Sequence, residues 1–596
     1  MTRSPVAAKA NVTAGDVGAL LARELVAGCT ADGPLLAASI RTLWRQREQG
    51  HVCLQLAAWA GRVGDDEDSP FPATGPWRQA LRDSGLCADG SDPEPATPLV
   101  LVADDRLYLR RDFVAERSIV AFVQQRLAEP ERMDAATVRG HLQALRLLPA
   151  DGKAPLDAQL LATIAAARSS FLVLTGGPGT GKTTTTARLL AVLLREEPKL
   201  RIALCAPTGK AATRLLQALR QRASAEPELA PVAERCQPTT LHRLLGYLPG
   251  PDTFRASANN PLRHDVVVVD EASMADPALL AVLCRALPPH ARLLLVGDKD
   301  QLAAVAAGQV LGDLCRAAAP ERGVGSNLAA FVQACVGQSP QPVQTRAPAI
   351  ADHVVHLQHS HRFGSRPGIG GFALAVARRD VPAALTAVHA GHADLLPMAN
   401  ADAALQMIEP MLLRAVHGSA DDVAARITAL RVLTAARIGP AGAMAWNARI
   451  ETLLGRHGVR VQDPWYEGRP ILVVANDHQN HVYNGDLGIV VRGPDGRPQV
   501  CFPRGDGTLR FVPRQRLPAH ETAWAMTVHK SQGSEFDDVL VVLPDHDGPL
   551  WQASLLYTAI TRGKQRALLL ADPTLLQAAL ARWPERSSGL ATALLG

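Results

Sequence analysis

Glycine, lysine and threonine stand in a phosphate-holding spacing at Gly176-Gly177-Pro178-Gly179-Thr180-Gly181-Lys182-Thr183. Glycines let backbone N–H groups turn inward around an anion, and a following helix N-terminus adds partial positive charge. Lys182 offers a compact charge to the β- and γ-phosphates, and the Thr183 hydroxyl suits Mg²⁺. The flanks supply the required context. An apolar run at 171–175 predicts a strand, and a helical pattern begins at Thr184. A glycine-rich turn with no ligand would not need strand, loop, Lys-Thr and helix together. The chemistry so read is binding and hydrolysis of a nucleoside triphosphate.

Two further strand ends carry matching chemistry. Val266-Val267-Val268-Val269 reads as a buried strand ending in Asp270 and Glu271. Asp270 suits the water shell of Mg²⁺, and Glu271 suits orienting or deprotonating an attacking water. A third strand ends in Gly297-Asp298-Lys299-Asp300-Gln301, where Gln301 could read the γ-phosphate by hydrogen bonding. A guanine-specific switch needs Asn-Lys-x-Asp, and none of the eight lysines stands in one.

Those lysines are informative in themselves. The chain has 62 basic residues but only Lys9, Lys153, Lys182, Lys199, Lys210, Lys299, Lys530 and Lys564 are Lys. Where Arg serves almost everywhere, a lysine flags a place where a point charge replaces a planar fork. Net charge is +5, unevenly spread: residues 1–115 hold 12 basic against 15 acidic residues, so the remainder carries +8. An acidic front on a basic body suits a nucleic-acid motor with a separate docking region. Nine scattered cysteines without a CxxC pair argue against a zinc ribbon and give no support to an iron–sulfur site, and reduced thiols fit a cytoplasmic protein. No apolar run approaches a membrane span, so no membrane partner is expected.

The elements that must position these residues follow from texture. Residues 1–115 mix helical pieces at 20–25 and 54–59 with loops, an acidic one at 65–70, and a short hairpin at 99–103 and 107–109. Residues 116–165 read as helices. From 171 onward, apolar runs at 171–175, 202–206, 266–269 and 293–296 alternate with helical patterns, which predicts a parallel sheet covered by helices. Residues 319–351, rich in Ala, Gly, Pro and Gln, read as a loop or linker. A second alternating region spans about 353–445 and resumes near 520. Between them, runs at 471–474, 488–492, 499–502 and 509–512, separated by glycine turns, predict a small antiparallel barrel.

Motif order carries a resemblance. The phosphate loop, Ala206-Pro207-Thr208-Gly209-Lys210-Ala211-Ala212, Asp270-Glu271 and Gly297-Asp298-Lys299-Asp300-Gln301 resemble superfamily 1 helicases. Leu357-Gln358-His359-Ser360-His361-Arg362-Phe363, Thr527-Val528-His529-Lys530-Ser531-Gln532-Gly533-Ser534-Glu535-Phe536 and Leu556-Tyr557-Thr558-Ala559-Ile560-Thr561-Arg562-Gly563-Lys564 continue it. Within that superfamily, Thr239-Thr240-Leu241-His242-Arg243-Leu244-Leu245-Gly246, residues 433–442 and Tyr483-Asn484-Gly485-Asp486-Leu487-Gly488 are similar to the RecD family of exodeoxyribonuclease V, the RecBCD complex. The resemblance spans residues 176–564.

The resemblance implies an α/β fold. It has two RecA-like P-loop NTPase domains, an SH3-like β-barrel insertion and a mostly helical N-terminal domain. The expected bounds are 1–115 for N-terminal docking, 116–352 for a helical connector with the first RecA-like domain, 353–464 and 519–596 for the second, and 465–518 for the barrel. It implies ATP with Mg²⁺, the metal on Thr183 and Asp270. The nucleotide set is Gln159 against adenine, then Gly176, Gly177, Pro178, Gly179, Thr180, Gly181, Lys182, Thr183, Thr184 and Glu535. The catalytic set is Lys182, Asp270, Glu271 and Gln301, with Arg362 and Arg562 facing ATP from the second domain. Loop tips at Thr208, Lys210, His242, Thr527, His529 and Lys530 carry hydroxyls, imidazoles and ammonium groups suited to single-strand DNA phosphates. Tyr483 and Trp524 are either stacking platforms or core. The implied activity is 5′→3′ DNA unwinding in a heterotrimer with RecB and RecC, acting on single strands and duplex ends in double-strand break repair by recombination. A stand-alone RecD-like helicase is the rival reading, and a structural subunit with a dead ATPase is another.

Overall fold

Short runs of branched apolar residues build the centre of the molecule. The structure is a computed structural model. It describes residues 14–27, 32–64, 69–148, 156–250, 253–304, 306–364, 366–418, 422–477, 479–493, 495–504, 508–548, 550–583 and 585–595. The expected acidic loop at 65–70 and the turn at 505–507 lie wholly or mostly outside these residues.

The first parallel sheet runs in the order Val354–Leu357, Phe171–Gly176, Arg292–Gly297, Val266–Val269, Ile202–Ala206, Gln237–Thr240. Every neighbouring pair is parallel. Such a sheet must be covered on both faces, and alternation along one strand shows that it is. Leu172 and Leu174 pack into one apolar cluster, whereas Phe171 and Val173 pack into another on the opposite face. Val266–Val269 lies between two neighbours and all four valines are fully buried. The second sheet is also parallel, in the order Leu395–Met398, Gly563–Leu570, Phe536–Val542, Leu430–Thr434, Ala525–Thr527.

The inserted strands form a five-stranded antiparallel sheet ordered Leu509–Pro513, Pro498–Pro503, Leu487–Arg492, Pro470–Val473, His520–Thr522. Its last strand lies beyond the expected bound of 518. Ile471, Val473, Val490, Val500 and Val512 share its apolar cluster.

Several expectations are corrected. The strand Val354–Leu357 pairs with Phe171–Gly176, so it is an edge of the first sheet and not the start of the second. The supposed linker holds the helix Ser326–Val336, whose Leu328, Val332 and Cys335 are fully buried. Small residues there are core-forming, not flexible. The bound at 115 falls inside one helix, Arg110–Leu127. The N-terminal region holds a four-stranded sheet beside its helices, in which Leu99–Leu101 and Arg106–Leu109 form the expected antiparallel pair. Leu54, read as helical, is on the strand Cys53–Gln55.

The end of the chain returns to the beginning. The Arg586 guanidinium donates to the carbonyls of Ala304, Ala306 and Gly308. Val52 N–H donates to Ser587 O at 2.8 Å. Glu116, buried, accepts from Ser588 and from Gly589 N–H. Leu590 and Ala591 then enter the cluster that covers one face of the first sheet. Residues 585–595 therefore pack on the first sheet's side, not on the second.

Candidate active site

The phosphate loop joins the strand Phe171–Gly176 to the helix Lys182–Glu196. Two of its glycines need their freedom. Gly179 and Gly181 have φ of 75° and 89°, a region that side chains rarely adopt. A Cβ on Gly179 would strike Arg362, and one on Gly181 would strike Gln159. Lys182 Nζ donates to the carbonyls of Gly176 at 2.6 Å and Gly177 at 3.0 Å. Gln159 Nε2 donates to Thr180 O at 3.2 Å, and its Oε1 accepts from Arg188.

Parallel registry brings the acidic tips to the same edge. Val269 pairs with Leu295 and Cys205, and Gly297 with Thr175. Ligands of such sheets bind beyond the carboxyl ends of the strands. Burial and then the neighbouring Glu271 charge raise Asp270 well above the usual carboxylate range. Glu271 has φ of 51°. A non-glycine residue held in the left-handed region is a marker of functional strain. Gln301 is buried and donates through Nε2 to Asp298 at 3.1 Å, while its Oε1 has no hydrogen-bond partner.

The opposite wall is cationic. Arg562 is buried and donates to the carbonyls of Thr558 and Ser534, both at 3.2 Å. Burial lowers its pKa, with the charges of Glu271 and Glu535 opposing. Arg362 pairs with Glu535 at 2.7 Å. It does not stand on the second sheet, as the sequence suggests. It lies on the segment leaving the first sheet's edge strand, where His361 N–H donates to Gly179 O at 2.9 Å and Ser360 Oγ to Pro178 O at 3.0 Å. Burial would raise the Glu535 carboxyl, but the guanidinium groups of Arg214, Arg362 and Arg562 overcome that and hold it at about 2. Arg214 also pairs directly with Glu535.

Most of these groups face one cleft of about 710 Å³, whose lining does not include Gly176, Gly177 or Asp298. Gln159, Pro178 to Thr184, Asp270, Glu271, Gln301, Arg362, Glu535 and Arg562 line it, with Arg188, Arg214 and His361 among others. Its polar lining carries four carboxylates, one lysine and five arginines, a set that can hold and neutralise a polyphosphate. Thr183 and Asp270 both offer oxygen donors to the cleft, which fits a hard divalent cation shared with phosphate oxygens.

The DNA candidates fall into two groups. Thr208 and His242 follow the neighbouring strands Ile202–Ala206 and Gln237–Thr240, so they end at one sheet edge. Thr208 caps the helix Gly209–Ala225 by accepting from Ala211 N–H, and His242 packs edge-on to Tyr247. Thr527 ends the strand Ala525–Thr527, His529 and Lys530 follow it, and Lys530 is paired with Glu521. The side chain of Lys210 lies outside the described residues. Trp524 is core: it is buried and donates to the Tyr466 hydroxyl at 2.7 Å. Arg214 and Arg188 escaped the sequence reading because 54 arginines hide any one of them. Asp298 and Tyr557 sat inside quoted motifs and could have been marked there.

Comparison with known proteins supplies the lineage. The family described as RecBCD enzyme subunit RecD, N-terminal domain, matches residues 16–108. An AAA domain matches 159–307, and a UvrD-like helicase C-terminal domain matches 522–570. The RecBCD enzyme subunit RecD of Mycobacterium tuberculosis is 38% identical over 96% of this chain and 93% of its own length. That of Haemophilus influenzae is 32% identical over 86% of this chain and 84% of its own length. The ATP-dependent RecD2 DNA helicase of Deinococcus radiodurans is 31% identical over 86% of this chain and 61% of its own length. With identity of this level running almost end to end, the chain belongs to the RecD family of RecBCD enzyme subunits.

Proposed function

We propose that the protein is an ATP-dependent, superfamily 1 DNA helicase that moves 5′→3′ as the RecD subunit of a RecBCD helicase–nuclease. One observation carries this reading: Lys182, Asp270, Glu271 and Gln301 from the first sheet share a single cleft with Glu535 and Arg562 from the second. The two parallel sheets act as RecA-like motor domains, and the antiparallel insertion as an SH3-like barrel. Polarity rests on the family.

ATP enters over the phosphate loop. Lys182 exchanges its two carbonyl partners for the β- and γ-phosphates, a stronger charge-assisted contact. Gln159 holds the adenine. Thr183 and Asp270 would hold Mg²⁺, which supplies positive charge to the phosphate oxygens when bound. Glu271 orients the attacking water. Gln301 offers its free Oε1 to that water or its amide to the departing phosphate, and so reports hydrolysis. Arg362 and Arg562 neutralise charge on the transferring group. Because Arg562 belongs to the second sheet, its hold on ATP ties the two sheets together. Hydrolysis then loosens them, and a grip on DNA at Thr208, Lys210, His242, Thr527, His529 and Lys530 converts that cycle into steps.

Identity of 38% over 96% of this chain to a RecD subunit, against 31% over 86% to RecD2, supports the subunit reading over a stand-alone helicase. The partners are then RecB and RecC, single strands and duplex ends. The region before the helix Arg110–Leu127 serves as the docking region, its net acidity keeping it off the DNA track. The test is ATP hydrolysis with and without single-stranded DNA. DNA should stimulate turnover, and Lys182→Ala should abolish it. Hydrolysis indifferent to both DNA and Lys182 would refute the proposal.

A further inference from the structure

Arg214 is a cation that the motifs do not mark. It projects from the helix Gly209–Ala225, which follows a first-sheet strand. Its guanidinium reaches the strap 533–535 that leads into the second sheet. Nη1 donates to Gly533 O at 3.0 Å, and Nη2 pairs with Glu535 Oε2. The other Glu535 oxygen, Oε1, pairs with Arg362 Nη1 at 2.7 Å. One carboxylate thus holds two arginines through separate oxygens.

The two arginines have different futures when a nucleotide arrives. Arg362 packs against Gly179, so it sits over the phosphate loop. A polyphosphate there competes with Glu535 for it, and carries more charge. When Arg362 transfers, Glu535 loses one of two direct partners in a partly enclosed site, with its side chain 14% exposed. An unpaired carboxylate beside polyphosphate is costly, because it is both desolvated and repelled. Arg214 is placed to prevent that, since its bonds to Gly533 and Glu535 do not involve the phosphate loop.

We propose that Arg214 is a positioning residue for ATP hydrolysis: it keeps Glu535 neutralised so that Arg362 can leave it for the nucleotide. The inference rests on the ATPase reading above. Without Arg214, Glu535 retains Arg362 as its remaining direct partner. The transfer of Arg362 to phosphate becomes unfavourable, and the penalty falls on the hydrolytic state more than on initial nucleotide binding. Replacing Glu535 as well removes the anion that traps Arg362, so part of the loss should return.

The test is steady-state, DNA-stimulated ATP hydrolysis by the full chain, with wild type, Lys182→Ala, Arg214→Ala, Glu535→Gln and the Arg214→Ala/Glu535→Gln double variant. Arg214→Ala should lower kcat by about tenfold or more while KM for ATP moves less than about threefold. In the Glu535→Gln background the same change should cost less than about threefold. Arg214→Lys should lie between wild type and Arg214→Ala. Thermal melting of each variant reports folding; Arg214 is 38% exposed and Glu535 keeps Arg362, so Arg214→Ala should still melt cooperatively, lowered by no more than a few degrees. If wild type hydrolyses ATP, Lys182→Ala does not, and Arg214→Ala keeps normal kcat, this inference alone is overturned. Equal cost in both Glu535 backgrounds also overturns it, because that additivity would mean Arg214 acts independently of Glu535. If wild type itself lacks hydrolysis, the ATPase reading falls first and this one with it.

Discussion

Tyr557 donates its phenolic hydrogen to Asp298 at 3.0 Å, joining a helix of the second sheet to a strand tip of the first. Both are fully buried or nearly so. The same carboxylate accepts from Gln301 Nε2, and one residue on, Leu302 N–H donates to Thr558 Oγ1 at 2.8 Å. Gln301, proposed above to sense phosphate, thus shares the Asp298 carboxylate with a helix of the second sheet. Tyr557→Phe should destabilise the protein by about 1–3 kcal/mol, since buried Asp298 loses a donor. It should also weaken DNA stimulation of ATP turnover while nucleotide binding persists. An unchanged urea midpoint with normal stimulation would remove this bond from the coupling route.

Lys182→Ala should end hydrolysis without harming the fold, because it removes a loop-edge charge and leaves the core intact. Glu271→Gln should bind ATP and stall, keeping hydrogen bonding but losing the base. Stopped-flow nucleotide binding beside steady-state turnover separates the two. Near-normal turnover in both variants contradicts the assignment.

Lys530 and Arg437 both pair with Glu521, Arg437 at 3.5 Å. Lys530→Ala should weaken single-strand binding equally on all sequences and reduce the log–log salt slope by ~0.7. Glu521→Gln should do the reverse, freeing two cations for phosphate. Salt titrations of both variants on two unrelated strands check this. A strong dependence on base sequence would show base reading instead.

The Glu535 carboxyl is held at about 2, against an ordinary value of 4.5. A lowered carboxylate contributes stability that is present above its unfolded pKa and lost as pH falls through its folded one. The stability difference between wild type and Glu535→Gln should stay constant from pH 7 to about 5 and shrink below 4.5. A difference that grows on acidification would contradict the pairing with Arg214 and Arg362.

Much of this site was legible because each motif needs a strand end, a turn and a particular side chain within a few residues. Gly176 to Thr183, Asp270 and Gln301 could be placed on that ground. What escaped depends on spatial closure. The strand Val354–Leu357 crosses back to the first sheet, which moves Arg362 beside the phosphate loop, and no local pattern records that crossing. The pairing of Arg214 with Glu535 spans 321 residues of chain. The helix Ser326–Val336 was hidden by composition, because Ala and Gly suit both a linker and a tightly packed core helix. N-terminal strands of two to four residues are too short to show a period.

The most direct measurement of the central claim is unwinding of duplexes with a single-stranded 5′ or 3′ tail, by the chain alone and with RecB and RecC. The account predicts ATP-dependent unwinding of the 5′-tailed duplex that Lys182→Ala abolishes, and co-purification with both partners. Unwinding from the 3′ tail alone, or unwinding that survives in Lys182→Ala without RecB and RecC present, would contradict it.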